Sequence, residues 1–246
     1  MIGTESIYGG WDSQKYFSDP ADSRLQDLWH KLAAQHVDTP DMVPNHGLTQ
    51  RKNEIMELWG LFRKVAPKVV LEIGTAQGGT LAGWCQLAPM DATIIFIDRC
   101  VNDCRPRPGD PVHPDIASRH DAVTTGGGGG YLLARGHQRI VPINGWSYEP
   151  PVISKLMREL AGRKVDFLFH DASHEASMFL RDFEIYWPLV ADGGVFASHD
   201  ICPSSVPNVN KHEAWAQIVR DCKYSARYEY HGGNGSESFG IGVLIK

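Results

Sequence analysis

The chain has 246 residues, of which 42% are hydrophobic, 10% aromatic and 22% charged. This composition can supply a buried core and excludes a wholly disordered or collagen-like chain. There are 24 Lys and Arg residues against 29 Asp and Glu residues, for a formal net charge of −5. A dedicated nucleic-acid-binding protein would normally carry a basic face, so no nucleic-acid partner is expected.

The sequence also bears on the compartment. No apolar run approaches the length of about 20 residues that a membrane-spanning helix needs, and residues 1–12 lack the basic flank and apolar stretch of a signal peptide. The five cysteines are odd in number and scattered, which indicates reduced thiols. We therefore expect a cytoplasmic protein without a membrane partner. The oligomeric state is left open, a homo-oligomer included.

From about residue 65 onward, short β-rich runs alternate with helical patterns. This alternation predicts an α/β fold with a Rossmann-like, doubly wound and mostly parallel sheet covered by helices on both faces. The seven predicted strands are residues 69–73, 93–98, 139–143, 165–169, 194–198, 226–231 and 239–245. A glycine-rich hairpin joins the last two, so the C-terminal strand is expected to run antiparallel.

Two regions depart from this pattern. Residues 1–50 contain one helical stretch, at 23–35, and are interpreted as an N-terminal helical cap on a domain of residues 51–246. Residues 99–138 form an insertion that is rich in proline and holds a run of glycines at 126–130. Insertions of this length are usually functional lids or disordered segments. We favour a flexible lid, with plain disorder as the alternative.

The strongest local motif is residues 70–80, in which a strand runs through glycines into a helix. Gly74 allows the backbone to approach a ligand closely, and a helix start after Gly78 offers free N–H groups to an anion. A dinucleotide-binding loop carries a second glycine where this chain has Ala76. The motif therefore predicts a ligand without a diphosphate, the alternative being an ordinary turn. Asp98 ends the second strand, where it can bind a ribose diol or simply begin a turn.

Acids and imidazoles end two further strands. His170 and Asp171 close the fourth strand, with His174 shortly after, and His199 and Asp200 close the fifth. Neighbouring strands lie roughly 5 Å apart, and clustered carboxylates repel unless a cation or a shared proton neutralises them. Carboxylates suit Mg²⁺, whereas a histidine-rich set suits Zn²⁺ or Mn²⁺. We interpret His170 as a structural imidazole.

Together these residues resemble the class I S-adenosylmethionine-dependent methyltransferases. They are most similar to the branch of macrolide-sugar O-methyltransferases and cephalosporin-hydroxylase-like proteins, with the pattern I-D-G-D-H-S-Y-E, D-F-E-x-W-x-P-L, G-G and H-D. The matching segments are residues 169–175, 182–189, 193–194 and 199–200, and the resemblance covers about residues 55–202.

The resemblance implies roles for individual residues. The methionine part of the cofactor would be held by Glu72, Gly74, Thr75 and Gly78, with Asp98 on the ribose. Trp146 and Ser147 would contact the adenine, with Trp146 in place of the usual acid, and Asp171 would also face the cofactor.

The same resemblance implies a metal site and a base. Asp171 and Asp200 match ligands of Mg²⁺, whereas His199 stands at a third, usually acidic position and leaves Mn²⁺ or another divalent ion open. His174 matches a proposed general base, and Ser173 departs from an acid of the pattern.

The resulting prediction is an S-adenosylmethionine-dependent O-methyltransferase, assisted by a divalent metal, that acts on a hydroxyl of a small molecule such as a sugar or secondary metabolite. Two alternatives stay open. One is a metal-dependent hydroxylase or hydrolase that uses the four acid and imidazole side chains. The other is a nicotinamide-dependent oxidoreductase, which Ala76 disfavours.

Overall fold

A computed structural model describes residues 22–33, 50–76, 78–99, 122–124, 131–133, 135–207, 209–231 and 239–246. The strands are β1 (Val69–Ile73), β2 (Thr93–Asp98), β3 (Ala122–Thr124), β4 (Tyr131–Leu133), β5 (Arg139–Asn144), β6 (Val165–His170), β7 (Val190–His199), β8 (Ala226–Tyr230) and β9 (Ile241–Ile245). The helices are α1 (Ser23–Ala33), α2 (Lys52–Val65), α3 (Gly79–Leu87), α4 (Pro150–Leu160), α5 (Ala176–Tyr186) and α6 (Lys211–Asp221), with a 3-10 helix at Trp187–Leu189.

The main sheet has seven strands in the order β5-β2-β1-β6-β7-β9-β8. The strands from β5 to β7 run parallel to one another, and β9 is antiparallel to both β7 and β8. The predicted α/β class, the seven-stranded sheet and the antiparallel C-terminal strand are therefore confirmed. The hairpin residues 232–238 lie outside the described residues.

Alternation along the strands produces two separate cores. In β1, Val70 packs with α1, α2 and α3 on one face, whereas Leu71 packs with α4, α5 and α6 on the other. Successive strand side chains point to opposite faces. A strand that is apolar at successive positions, such as Thr93–Asp98, therefore contributes side chains to both cores. Burying each large apolar side chain contributes about 1.5–3 kcal/mol, which makes the two-sided core the main stabilisation of the fold.

The start of β7 differs from the prediction. The sequence predicts a turn at Asp192 and Gly193 and a strand from Gly194, but β7 already begins at Val190. The turn residues lie inside the strand as an irregularity in its pairing with β6, where the register shifts and Gly193 takes a φ of 76°. The predicted strand start at Gly194 was therefore wrong, because the chain pairs with β6 both before and after the irregularity at Asp192 and Gly193.

Part of the predicted cap and of the predicted insertion is described. Helix α1 places Leu25, Leu28 and Leu32 in the same core as α2, so this part of residues 1–50 packs directly on the domain. Within the insertion, β3 and β4 pair as antiparallel strands, while the glycine run 126–130 lies outside the described residues. The cap and lid assignments stay predictions. Among the helices described, none is both long and apolar enough to cross a membrane.

Candidate active site

A cavity of about 700 Å³ opens at the carboxyl ends of β1, β2, β5 and β6. The chain changes direction across the sheet between β1 and β6, and such switch points are where ligands bind in doubly wound folds. The lining residues are Ile73, Gly74, Ala76, Ile97, Asp98, Arg99, Gly145, Trp146, Ser147, Tyr148, Asp171, Ala172, Ser173, His174, Met178 and Asp182. Five of the predicted cofactor residues are in this wall, namely Gly74, Asp98, Trp146, Ser147 and Asp171. Glu72, Thr75 and Gly78 are not.

Gly74 joins the ends of two strands. Its φ is 85°, and a Cβ atom at this position would lie 2.2 Å from the carbonyl oxygen of Asp171. The N–H of Asp171 donates a hydrogen bond of 2.8 Å to the carbonyl of Ile73. The glycine thus makes room for protein backbone as well as for the cavity beside it.

Glu72 is fully buried and does not line the cavity. Its carboxyl group accepts hydrogen bonds from the hydroxyls of Thr80 and Thr75 and from the indole N–H of Trp84. Burial raises the pKa of Glu72 to about 8 despite these donors. Any influence of Glu72 on the cofactor would pass through the loop above it, and its role in cofactor binding stays a prediction.

Asp98 fastens the loop after β1 to the end of β2. Its Oδ2 atom accepts the backbone N–H groups of Thr75 and Ala76, both at 2.9 Å. Further along the loop, Gly78 caps α3 in a left-handed conformation and donates its N–H to the carbonyl of Thr75. Asp98 thus has a structural task at the cavity wall, and its contact with a ribose stays a prediction.

Aromatic and cationic side chains form the rim. Trp146 is 44% exposed, and its ring lies 6.0 Å from the ring of Tyr148. The guanidinium group of Arg99 lies 5.2 Å from the Trp146 ring centre, and that of Arg181 lies 3.5 Å from the Tyr148 ring centre. The rim therefore presents the exposed indole ring of Trp146 at the position where the resembled family usually has an acid.

A buried chain of hydrogen bonds supports the rim segment. The Ser147 hydroxyl donates to the Asp182 carboxylate at 2.8 Å, and His170 Nε2 lies 3.0 Å from the same carboxylate. The Tyr186 hydroxyl donates to the carbonyl of Ser147 at 2.6 Å. Burial lowers the pKa of His170, and the interpretation of this imidazole as a structural residue stays a prediction.

The two strand ends bring together the acid–imidazole cluster, which we define as Asp171, His174, His199 and Asp200. His199 Nδ1 lies 3.3 Å from Asp171 Oδ1 and 3.3 Å from Asp200 Oδ2. His174 Nε2 lies 3.0 Å from Asp200 Oδ2. Potential ligand atoms of Asp171, His174 and Asp200 all lie within 4.8 Å of one another. The predicted convergence of the two strand ends therefore occurs, while the roles of these residues stay predictions.

The cluster is electrostatically paired. Burial alone would lower the pKa of His199, but Asp171 and Asp200 raise it to about 10. The imidazoles in turn lower the pKa of both aspartates against the effect of burial. The hydrogen bond to Asp200 raises the pKa of His174, whose side chain is 52% exposed. Two carboxylates and two imidazoles can thus share protons or hold a cation.

Sequence reasoning missed three residues around the cluster. The amide of Gln50 donates to Asp171 Oδ2 at 2.6 Å, and the buried Glu54 places Oε2 at 3.9 Å from His199 Nε2. The fully buried Lys211 donates to the carbonyl of His170 at 3.2 Å. Lys211 shares the buried face of α6 with Ala214, Trp215 and Ile218, and this helical spacing was a usable signal. No comparable signal marks Gln50.

The strand order and the cavity at the switch point define a methyltransferase-like α/β fold. A family model described as a methyltransferase domain matches residues 71–201, more than half of the chain. The chain therefore belongs to this family of methyltransferases, and its resemblance to the class I enzymes is confirmed. A search of curated proteins finds no match.

Two solved structures share the fold. The O-methyltransferase from Bacillus cereus, in complex with SAH, is 17% identical, with a TM-score of 0.50 and coverage of 92% of this chain and 91% of that chain. The MycE methyltransferase from the mycinamycin biosynthetic pathway, in complex with Mg and SAH, is 16% identical, with a TM-score of 0.54. That match covers 90% of this chain and 54% of MycE.

Proposed function

We propose that the chain is an S-adenosylmethionine-dependent O-methyltransferase that methylates a hydroxyl group of a small molecule. The observation that carries this proposal is one cavity of about 700 Å³ with Asp98 and Trp146 in its wall together with Asp171 and His174. A cavity of this size suits a small ligand. The proposed nucleoside-binding residues and the proposed base thus line the same cavity, as methyl transfer from a bound cofactor to a bound acceptor requires.

The cofactor would lie along the ends of β1, β2 and β5. Asp98 would accept hydrogen bonds from the ribose, and the exposed Trp146 would stack on the adenine beside Ser147. The loop with Gly74, Thr75 and Gly78, supported from below by Glu72, would hold the methionine part. When bound, S-adenosylmethionine supplies a methyl group that its sulfonium already activates. The main task of the protein is then to align the two reactants and to exclude water.

His174 would act as the general base. An alcohol holds its proton too tightly to attack the methyl group efficiently near neutral pH, so a positioned proton acceptor accelerates the reaction. His174 lines the cavity, and its Nε2 atom is held 3.0 Å from Asp200 Oδ2. Asp200 would orient the imidazole and stabilise it once it has accepted the proton.

The cluster would also hold a divalent ion. Asp171 and Asp200 meet at the strand ends, with His199 Nδ1 at 3.3 Å from an oxygen of each carboxylate, so the donor set fits such an ion. Asp171, His199 and Asp200 are the proposed ligands, with Mg²⁺ or Mn²⁺ as first candidates. When bound, the ion would lower the pKa of the acceptor hydroxyl and orient it. The MycE structure is a complex with Mg, which supports a metal in this fold.

The acceptor class, a sugar or other secondary metabolite, draws support from the placement of MycE in mycinamycin biosynthesis. A cytoplasmic location and a small-molecule acceptor belong to the same proposal. The hydroxylase alternative makes a different prediction, because it adds oxygen to the acceptor instead of a methyl group.

The test is an incubation of the full chain with methyl-labelled S-adenosylmethionine, a divalent salt and a panel of sugars and polyketide-type alcohols. Mass spectrometry should find a methyl-sized gain in one acceptor, together with SAH. His174→Gln is the inactive control, and His137→Gln, at an exposed histidine, is the matched active one. Calorimetry that detects no S-adenosylmethionine binding, or an oxygen-sized gain without label, would contradict the proposal.

A further inference from the structure

We propose that the acid–imidazole cluster binds a first-row transition-metal ion through nitrogen as well as oxygen, with Mn²⁺ and Zn²⁺ preferred over Mg²⁺. The inference rests on the proposed function, because the ion would serve the same methyl transfer. It differs from the Mg²⁺ expectation because the donor set contains imidazole nitrogen.

The identity of the donors favours a transition-metal ion. Mg²⁺ binds through one or two carboxylates and otherwise keeps water molecules in an octahedron. Here the imidazole of His199 lies beside the two carboxylates, where oxygen donors or water would complete a magnesium site. Imidazole nitrogen suits Zn²⁺ and other first-row transition ions, which bind N and O donors together. The substitution of an acid by His199 therefore shifts the preference of the site away from Mg²⁺.

The spacing of the donors also fits one ion. His199 Nδ1 lies 3.3 Å from an oxygen of each aspartate. Ligands that bind Zn²⁺ at about 2.0–2.1 Å in a tetrahedron lie roughly 3.3 Å from one another. Oxygen and nitrogen donors are thus already spaced for one shared ion. The amide of Gln50 occupies Asp171 Oδ2 at 2.6 Å, so Oδ1 is the atom of Asp171 that faces His199.

The side of His199 that faces away from the cluster carries an acid. The His199 side chain is only 8% exposed, its Nδ1 atom points into the cluster, and its Nε2 atom lies 3.9 Å from Oε2 of the buried Glu54, beyond hydrogen-bond distance. Metal-binding histidines usually present their second ring nitrogen to a carboxylate or carbonyl, which fixes the tautomer and the ring orientation. Glu54 lies on that side at ion-pair distance, so it is the candidate positioning residue for His199.

The test is isothermal titration of the full chain with MnCl₂, ZnCl₂ and MgCl₂ in separate experiments. We expect affinities for Mn²⁺ and Zn²⁺ about tenfold or more above that for Mg²⁺. His199→Glu replaces the nitrogen donor by oxygen and should reduce this preference, whereas His137→Glu should leave it unchanged. Glu54→Gln should weaken Mn²⁺ binding about 10–100-fold, with Glu184→Gln, at an exposed glutamate, as its control.

Because buried variants can fail to fold, a second measurement uses the unaltered chain. Pulsed electron paramagnetic resonance of the Mn²⁺-loaded protein should show coupling to imidazole nitrogen. Equal affinities for Mg²⁺ and Mn²⁺, Mn²⁺ bound without nitrogen coupling, or no binding of any of these ions overturns the inference. These experiments contain neither methyl donor nor acceptor, so their result does not depend on the methyl-transfer assay. Conversely, methyl transfer can still be tested if no ion binds.

Discussion

Gly74 and Asp171 meet through their backbones, because a Cβ atom on Gly74 would lie 2.2 Å from the carbonyl oxygen of Asp171. The contact joins the cofactor loop after β1 to the strand end that carries the acid–imidazole cluster. The two halves of the proposed reaction, donor binding and acceptor activation, are therefore fixed relative to each other by main chain. Substitution of Gly74 acts on the fold before it acts on any ligand.

We predict that Gly74→Ala destabilises the protein more than Gly162→Ala does. Both glycines have a positive φ, but nothing lies within 4 Å of a Cβ atom on Gly162. The left-handed conformation costs each variant about 1–2 kcal/mol, and the clash with Asp171 should add about 1–3 kcal/mol to the cost at Gly74. Urea denaturation measures the difference. Equal losses would mean that the backbone contact relaxes freely.

We predict that Glu72→Gln removes part of the pH dependence of stability. Burial raises the pKa of Glu72 to about 8, so the folded protein holds a proton that the unfolded chain releases near pH 4.5. The stability that this proton supplies is complete below pH 4.5 and is lost as the pH rises through about 8. Glutamine stays neutral and fits the same hydroxyl and indole partners.

The measurement is the melting temperature of both proteins between pH 5 and pH 9, a window set by the two ends of that shift. At the alkaline end, Glu72→Gln should melt higher, by about 2–4 °C for each kcal/mol recovered in a domain of this size. Glu184→Gln is the exposed control. Parallel curves for the wild-type chain and Glu72→Gln would show that Glu72 is ionised in the fold.

The sheet could be predicted because its signals are local. Residues 69–73 and 93–98 match β1 and β2, since each is an apolar run followed by a polar or glycine residue. The start of β7 could not be predicted, because a bulge depends on the partner strand. The convergence at the strand ends followed from topology alone, as the carboxyl ends of parallel strands share one edge.

The side chains that surround the acid–imidazole cluster could not be predicted, because they are placed there by hydrogen bonds between residues distant in sequence. Gln50 reaches Asp171 across 121 residues, and Glu54 reaches the backbone of Gly240 across 186 residues. A single glutamine just before a helix, or a single glutamate within one, looks like an ordinary surface residue in sequence. Only packing α2 against the strand ends shows that these side chains are buried and directed at the cluster.

We predict that Trp146→Ala weakens binding of SAH without destabilising the fold. The indole is 44% exposed at the cavity rim, so its removal costs little core packing, and stacking on a base contributes about 1–3 kcal/mol. Calorimetry should therefore show a loss of roughly tenfold or more. Met157→Ala removes another apolar side chain of similar exposure, 46%, on α4 and should bind SAH normally. Unchanged affinity in Trp146→Ala would place the adenine elsewhere.

We predict that Asp98→Asn lowers both the stability of the loop after β1 and the affinity for SAH. The carboxylate accepts two backbone N–H groups, and hydrogen bonds to a charged group contribute about 1.5–3 kcal/mol each. The melting temperature should fall slightly, and SAH affinity should fall by about tenfold or more. The two measurements separate the roles, because a drop in stability with an affinity loss below about twofold would leave Asp98 as a turn residue only.

We predict that His174 is the general base and that Asp200 tunes it. The hydrogen bond from His174 Nε2 to Asp200 raises the pKa of His174 above its ordinary value. In the ion-free protein, nuclear magnetic resonance of nitrogen-labelled histidine should find that pKa above about 6.5. Asp200→Asn removes the negative charge and should return the pKa toward that value. A His174 pKa that is unmoved by Asp200→Asn would contradict the pairing.

The pair of His174 and Asp200 is also expected to determine how the turnover rate depends on pH. A base acts in its deprotonated form, so turnover should rise with pH through the pKa of His174. His174→Gln should lose about 10²–10⁴-fold in turnover while SAH affinity stays normal, because His174 is proposed to touch the acceptor and not the nucleoside. His137→Gln controls for loss of an exposed imidazole. Normal turnover in a folded His174→Gln protein would remove the base role from His174, and His199, the other imidazole beside Asp200, would be the next residue to test.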